Sequence, residues 1–327
     1  MQNQRRGLLK LILGAAAGFG SLSSWAQTWP DKAIKLILGY TTGGASDATA
    51  RIINRPLEQI LKQSVVTDYK PGAGASIGAE FVARAAPDGY TIGLTDTGPL
   101  CIMPHLRKVS YDPLTSFTPL SYICTTGLVL IVNPELPVNN IQELIAMAKK
   151  RPGSLSYASS GVGSVHHLAG ELFKARAGVS IVHIPYRGAG PALTDLVGGQ
   201  IPVMFATIGP ALSMISAGKA RALGVTSLTR SASLPNVPTI AERGLNGYEA
   251  VLRFYVMGPA KMPQLITTKL QSDFKTVVTD STVIAELKKL GNDEIGYKSP
   301  SEIEALIQDD YRKWGNLITQ TKITLDT

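Results

Sequence analysis

Twice in this chain an apolar run of strand length ends in a loop of small residues and glycines that opens at once onto a helical pattern. The first run, Ala33 to Leu38, leads through Gly39-Tyr40-Thr41-Thr42-Gly43-Gly44 into Ala45 to Leu61, where Ile52, Ile53, Leu57, Ile60 and Leu61 recur at helical spacing. The second, Leu155 to Ala158, leads through Ser159-Ser160-Gly161-Val162-Gly163-Ser164 into Val165 to Ala177. A strand passing through a glycine loop into a helix is the building unit of α/β layers. A helix start with no bulky side chain in front of it leaves its first backbone N–H groups free, which makes a seat for an anion. Two such units predict two α/β lobes. Facing each other, they would open both helix ends into one cleft.

The rest of the sequence fits that plan. Val65 to Tyr69 reads as a strand, Ile77 to Arg84 as a helix, and the turn Pro87-Asp88-Gly89 feeds a third strand, Tyr90 to Leu94. The apolar run Leu120 to Val132 is too long for an ordinary strand and is expected to cross between lobes. Strands are expected at Ile181 to Pro185, Ile201 to Phe205 and Arg221 to Thr226, with a helix at Pro191 to Val197 and a short one closed by Gly218. Val251 to Met257 reads as the return crossing. Two terminal helical regions, Gln264 to Val278 and Ser301 to Gln320, should pack back on the first lobe.

The N-terminal residues form a separate signal. Arg5, Arg6 and Lys10 precede a short apolar stretch broken by Gly14, Gly18 and Gly20, and Ser24-Trp25-Ala26 has the small-x-small form of an export cleavage site. The run is too short and too interrupted for a membrane anchor. QRRGLLK resembles a twin-arginine signal, although two arginines also suit the general secretory route. Cleavage after Ala26 removes three of the 32 basic residues, leaving 29 against 24 acidic ones, a balance of +5. The basic residues are scattered and no aromatic ladder accompanies them, so the mild positive charge suits a small anion and not nucleic acid. Cys101 and Cys124 are the only cysteines. They read as two buried thiols, with a disulfide as the alternative in an oxidising compartment.

Six ordered blocks carry a family resemblance: KPGAG with IGAE and APDGYT (Lys70 to Thr91), YDP with FTP (Tyr111 to Pro119), PGSLSYASSGVGSVHHLAGELF (Pro152 to Phe173), PYRGAGPALTDLVGGQIPVMF (Pro185 to Phe205), AGKARALGVT (Ala217 to Thr226) and LPNVPTIAERGLNGYE (Leu234 to Glu249). In these the chain resembles, over nearly its full mature length, the Bug family of extracytoplasmic solute receptors of tripartite tricarboxylate transporters. The resemblance implies a two-lobed type II periplasmic-binding-protein fold. Lobe one would comprise residues 27–124 with 256–327 and lobe two residues 125–255, joined by two crossing strands. It implies a periplasmic, monomeric receptor that needs no cofactor or metal, closes over a small organic carboxylate and delivers it to a membrane transporter. Carried over residue by residue, it nominates Tyr40, Thr42, Gly44, Ala45 and Ser46 in lobe one, and Ser160, Gly161, Gly163, Ser164 and Thr207 in lobe two. Two departures from the family pattern stand out: Thr42 where the first loop usually has proline, and Asp96 in a loop that is usually small and neutral.

Several residues admit a sharp and a plain reading. Asp96 at the mouth of an anion site would repel a second carboxylate and attract a ligand ammonium or N–H, or it simply caps the following turn and faces water. Asp47 lies in the first turn of a helix and reads as structural. Gly74-Ala75-Ser76-Ile77-Gly78 has the form of a hydrolase nucleophile turn, but no oxyanion-loop motif accompanies it, so a periplasmic serine hydrolase is the competing class. A ligand-binding partner of a sensor system is the third. His166 and His167, adjacent on a helix, point in different directions and are a poor metal pair, one expected at the cleft and the other packed or solvated. Met103 and Met204 read as core or pocket lining.

Overall fold

In the computed structural model, which describes residues 29–324, the run Ile34–Leu38 forms strand β1. Four of its five side chains are buried because it is central: β2 (Val65–Tyr69) and β3 (Thr91–Asp96) both pair with it in parallel. Helix α1 (Ala45–Leu61) crosses from β1 to β2, and α2 (Ser76–Ala83) from β2 to β3. After β3 the chain makes a wide helical turn at Gly98–Ile102 and a short helix α3 (Met103–Leu106).

Strand β4 (Phe117–Val132) is 16 residues long. Its first part pairs antiparallel with the distant β9, the register shifting between Pro119 and Ser121 and between Tyr122 and Cys124. Its last five residues, Leu128–Val132, run on into the second half of the molecule. There α4 (Ile141–Lys150) leads to the parallel set β5 (Ser156–Ser159), β6 (Val182–Pro185) and β7 (Val203–Thr207). These are connected by α5 (Val165–Ala177) and α6 (Ala189–Val197). Helix α7 (Ile208–Ser216) and β8 (Arg221–Val225) follow, and β8 pairs with β4. The return strand β9 (Val251–Pro259) pairs with both β3 and β4. Then come α8 (Gln264–Thr279), α9 (Ser281–Lys289), β10 (Asn292–Ile295) and α10 (Pro300–Thr321). From Lys32 on the chain is one compact unit.

The sheet order is β2-β1-β3-β9-β4-β7-β5-β6, with β8 and β10 also on β4. Two parallel α/β lobes therefore flank a central antiparallel pair, β4 and β9, which crosses between them. Thr226 marks one crossing point. Its hydroxyl accepts from the Leu128 N–H at 2.7 Å and donates to the Ala250 carbonyl at 2.6 Å, so one buried side chain joins β4 to the entry of β9. The second lobe closes on its own apolar core, with Val129, Ile131, Ala192, Leu196, Met204 and Val225 all buried. Helices α8 and α10 pack against β4, and α10 also covers the Gly98–Ile102 turn.

Some expectations shift. β7 starts at Val203, two residues later than predicted, because Pro202 has no N–H for the ladder. β3 runs on to Asp96, held by its pairing with Phe254 of β9. The sequence reading did not anticipate α4, α9 or β10. Cys101 and Cys124 are free and buried, the Cys101 thiol lying 3.6 Å from the Ile307 carbonyl. The export signal lies outside the described residues. Among the described residues no helix is long and apolar enough to cross a membrane.

Candidate ligand cleft

The two lobes meet face to face. The hydroxyl of Thr41 in the first donates to the Arg187 carbonyl in the second at 3.0 Å. Behind this contact a Cβ on Gly188 would lie 2.4 Å from Thr41 Oγ1, and one on Gly163 would lie 1.8 Å from Met103 Sδ. At both positions φ is positive, +142° and +77°, so backbone conformation and close approach together call for glycine.

Between the lobes lies a small, partly open pocket. Its first-lobe wall is Tyr40, Gly44, Ala45, Ser46 and Asp96, and its second-lobe wall is Ser160, His166, Ala189 and Thr207, with Leu252 of β9 between them. A wider space opens outside it, bordered by Gly72, Gly74, Gly161, Tyr186 and Arg187. Tyr40 and Ser160 line both spaces and so stand at the neck.

Helix ends dominate the inner space. Gly44, Gly188 and Thr207 are the N-cap residues of α1, α6 and α7, and none of them makes a side-chain cap. The first residues of these helices therefore keep unclaimed N–H donors, and Ala45, Ser46 and Ala189 are in the cavity wall. Elsewhere α4, α9 and α10 are capped by Asn140, Asp280 and Ser299, α5 is capped by Ser164, and α8 has no side-chain cap. Partial positive charge from three helices thus converges on one small volume.

Asp47 does not face that volume as a free charge. Its carboxylate accepts from Gly43 N–H at 3.0 Å, Tyr69 hydroxyl at 2.6 Å and Arg51 Nε at 3.3 Å. Burial alone would raise its pKa, but these bonds outweigh it and hold the group below the usual carboxylate value. Asp47 fixes the glycine loop in place.

Asp96 is different. It caps its turn, accepting from the Gly98 N–H at 2.7 Å, yet it does not face water: the residue is 2% exposed. Its other bond, from the Tyr40 hydroxyl at 3.4 Å, goes to the same oxygen, Oδ1. Among the described residues nothing donates to Oδ2 and no cation sits against the carboxylate. Apolar side chains including Ile37, Val82, Leu94 and Phe117 line a narrow crevice on its other side. Burial raises its pKa to about 7, the two hydrogen bonds offsetting only part of that cost.

On the opposite wall His166 Nδ1 pairs with Ser160 Oγ at 2.8 Å, while His166 Nε2 and Thr207 Oγ1 are buried without a partner among the described residues. Burial lowers the His166 pKa to about 4, so the ring is neutral near pH 7. His167 packs away from the cleft, stacked on His183 with ring centroids 4.1 Å apart.

Seven of the residues nominated from sequence, Tyr40, Gly44, Ala45, Ser46, Asp96, Ser160 and Thr207, line the inner space, and Gly161 lines the outer one. Thr42 is exposed and borders neither. Ser164 caps α5 and donates to the Gly161 carbonyl at 2.7 Å, and the Gly163 N–H bonds His167 Nδ1. His166 is the one of the adjacent histidine pair that reaches the cleft, whereas Ala189 and Leu252 join the wall without having been nominated. The presence of Ala189 was readable in the stretch Gly188-Ala189-Gly190, a third glycine-flanked helix start. Ser76 Oγ donates to the Ala73 carbonyl of its own turn at 2.7 Å, which makes it a structural hydroxyl. Among the described residues there is no cluster of three or more metal-ligating side chains.

Two lobes, two crossing strands and a cleft walled by helix N-termini define a periplasmic solute-binding protein. Residues 49–323 match the tripartite tricarboxylate transporter family receptor model, and the chain belongs to that family. It is 33% identical to protein BugT of Bordetella pertussis, covering 95% of each chain. Among solved structures it is similar to the periplasmic binding protein BugD, with a TM-score of 0.87, 31% identity and coverage of 90% of this chain and 99% of that one. It is equally similar to an R. palustris protein solved with adipate, with a TM-score of 0.87, 33% identity and the same coverage. The family is one of solute receptors, so the chain is a binding protein and not an enzyme.

Proposed function

We propose that this receptor captures a small organic carboxylate in the inner cleft and delivers it to the membrane subunits of a tripartite tricarboxylate transporter, after export and cleavage behind Ala26. The observation that carries the reading is the convergence of three uncapped helix N-termini, those of α1, α6 and α7, on one inter-lobe pocket. A charge-assisted N–H bond contributes about 1.5 to 3 kcal/mol, so a few of them hold a small anion without arginine or lysine. The adipate carried by a structural relative fits the same chemistry. In this reading Tyr40, Ser46 and Ser160 add hydroxyl contacts at the neck, and the glycine loops around Gly44 and Gly161 supply backbone donors.

Thermal unfolding of the chain from Gln27 onward, against mono-, di- and tricarboxylates and amino acids, tests the binding half. A ligand at 1,000 times its Kd adds about 4 kcal/mol, roughly ten degrees for lobes of this size. Silence across every acid would reject the carboxylate reading. Delivery is tested separately by uptake of the identified ligand in cells with and without this receptor, and cleavage by N-terminal sequencing of periplasmic material.

A further inference from the structure

The inner cleft has a second pole that a carboxylate cannot use. On the same first-lobe wall as the α1 end sits the carboxylate of Asp96, 2% exposed, with both of its hydrogen bonds on Oδ1 and none on Oδ2. Thr207 and His166 line the same space, and Thr207 Oγ1 and His166 Nε2 are fully buried without partners among the described residues. Buried polar atoms are nearly always satisfied, and a buried anion with no countercharge is the most costly exception. These three atoms come from β3, the end of β7 and α5, and meet at the cleft. Asp96 Oδ2 can take a donor when ionised, and the Thr207 hydroxyl across the same pocket can accept from the same group.

We propose that the ligand carries a nitrogen bearing N–H bonds, as an ammonium or a protonated ring nitrogen, close to its carboxylate, and that Asp96 Oδ2 and Thr207 Oγ1 accept it. The inference rests on the carboxylate reading above, since the helix ends take the anionic end of the same molecule. A plain dicarboxylate of the same length would bring a second negative charge against Asp96, so the residue selects as well as binds.

Titration of Asp96 gives the proposal a signature. Burial raises its pKa to about 7, so holding a cation requires it to give up its proton near neutrality. The groups facing it are Tyr40 and Tyr111, both pushed up from the usual tyrosine value, Cys101, also pushed up, and His166, lowered to about 4. None of these changes charge between pH 6 and 8.

The test is calorimetric titration of the chain from Gln27 onward with skeleton-matched pairs: propionate and alanine, succinate and aspartate, glutarate and glutamate, cyclohexanecarboxylate and piperidine-2-carboxylate. At pH 8 the nitrogen-bearing member of at least one pair should bind about ten- to a hundredfold more tightly, the worth of one charge-assisted bond, and Asp96→Asn should erase that preference. The wild-type protein gives an independent readout if the variant folds poorly. Its affinity for the amino ligand should rise about tenfold from pH 6 to pH 8, as a carboxyl group of pKa near 7 ionises. A nitrogen-free acid binding as tightly as its partner, a preference that survives Asp96→Asn, or an affinity that rises as the pH falls would overturn the proposal while leaving the carboxylate receptor standing. Failure of every member of every pair would overturn both.

Discussion

Thr41 and Arg187 are 146 positions apart in sequence, yet the Thr41 hydroxyl donates to the Arg187 carbonyl at 3.0 Å, directly across the cleft. The contact is possible because Gly188 has no side chain: a Cβ there would overlap Thr41 Oγ1 at 2.4 Å. Since the bond spans the two lobes, it belongs to the closed form. Gly188→Ala should therefore hold the lobes apart and weaken ligand binding by about tenfold or more, while Thr41→Val, which removes only a partly exposed hydrogen bond, should cost a few-fold. Titration calorimetry measures the affinities. Small-angle scattering should show the ligand-induced decrease in radius of gyration lost in Gly188→Ala and kept in Thr41→Val.

The free N-terminus of α1 leads to a prediction in which stability and binding move in opposite directions. Gly44 has an extended backbone (φ −92°, ψ 179°) and an added Cβ would meet nothing closer than 4.0 Å. Gly44→Asp places a carboxylate where it can cap the helix. A capping side chain in place of glycine adds a few tenths of a kcal/mol, with a similar contribution from the helix dipole. The ligand-free protein should thus melt at the same temperature or slightly higher. The same carboxylate occupies the anion seat and repels the ligand, so affinity should fall at least about tenfold. Equal binding by the variant would show that the ligand carboxylate does not sit at α1.

How far this could be read in the sequence depends on the element. Helix α1 begins and ends at the residues expected, because its apolar positions repeat cleanly from Ile52 to Leu61 and the glycine loop fixes its start. The long run ending at Val132 was readable as a crossing from its length alone. Helix α9 and strand β10 were not: Ser281–Lys289 is mostly polar, and Asn292–Ile295 is a four-residue edge that exists only because β4 is there to pair with it. The cleft follows the same division. Loop composition pointed to Gly44, Ala45, Ser46 and Ser160, but it does not determine which way each loop residue faces, and Thr42 points outward. His166, Ala189 and Leu252 come together from α5, α6 and β9 only through the sheet order β9-β4-β7-β5, which no local pattern encodes. Asp96 could be singled out as an odd charge, but its burial and the free Oδ2 depend on the packing of the closed lobes.

The return crossing is anchored by a buried ion pair. Arg253 Nη1 on β9 bonds both carboxylate oxygens of Asp310 on α10, at 2.7 and 2.5 Å, and both side chains are largely shielded from water. Removing one partner leaves the other charge buried and alone, which typically costs about 3 to 5 kcal/mol. Asp310→Ala should lower the melting temperature by several degrees or more, whereas replacing exposed Asp309, three residues from Arg312, should change it little. Differential scanning calorimetry of the two variants side by side makes the comparison. Equal melting temperatures would mean that α10 is held by its apolar face alone.

Asp96 should also set the pH dependence of the ligand-free protein. Its pKa in the fold, about 7, lies above the ordinary carboxylate value of 3.8, so the folded state holds a proton that the unfolded chain releases more readily. The sign follows: below about pH 4 the group costs nothing, between pH 4 and 7 stability falls as the unfolded chain gains from ionising, and above pH 7 the full penalty applies. A shift of about three units corresponds to at most about 4 kcal/mol. Asp96→Asn keeps an oxygen for the Gly98 N–H and carries no charge. It should melt higher than the wild type at pH 8 and alongside it at pH 4, in chemical denaturation as in heat. A saturating ligand that brings a cation to Asp96 removes the same penalty, so the wild-type protein should gain more from it at pH 8 than at pH 6. If Asp96→Asn is the less stable protein at pH 8, then the carboxylate is already compensated within the fold and has no need of a ligand's charge.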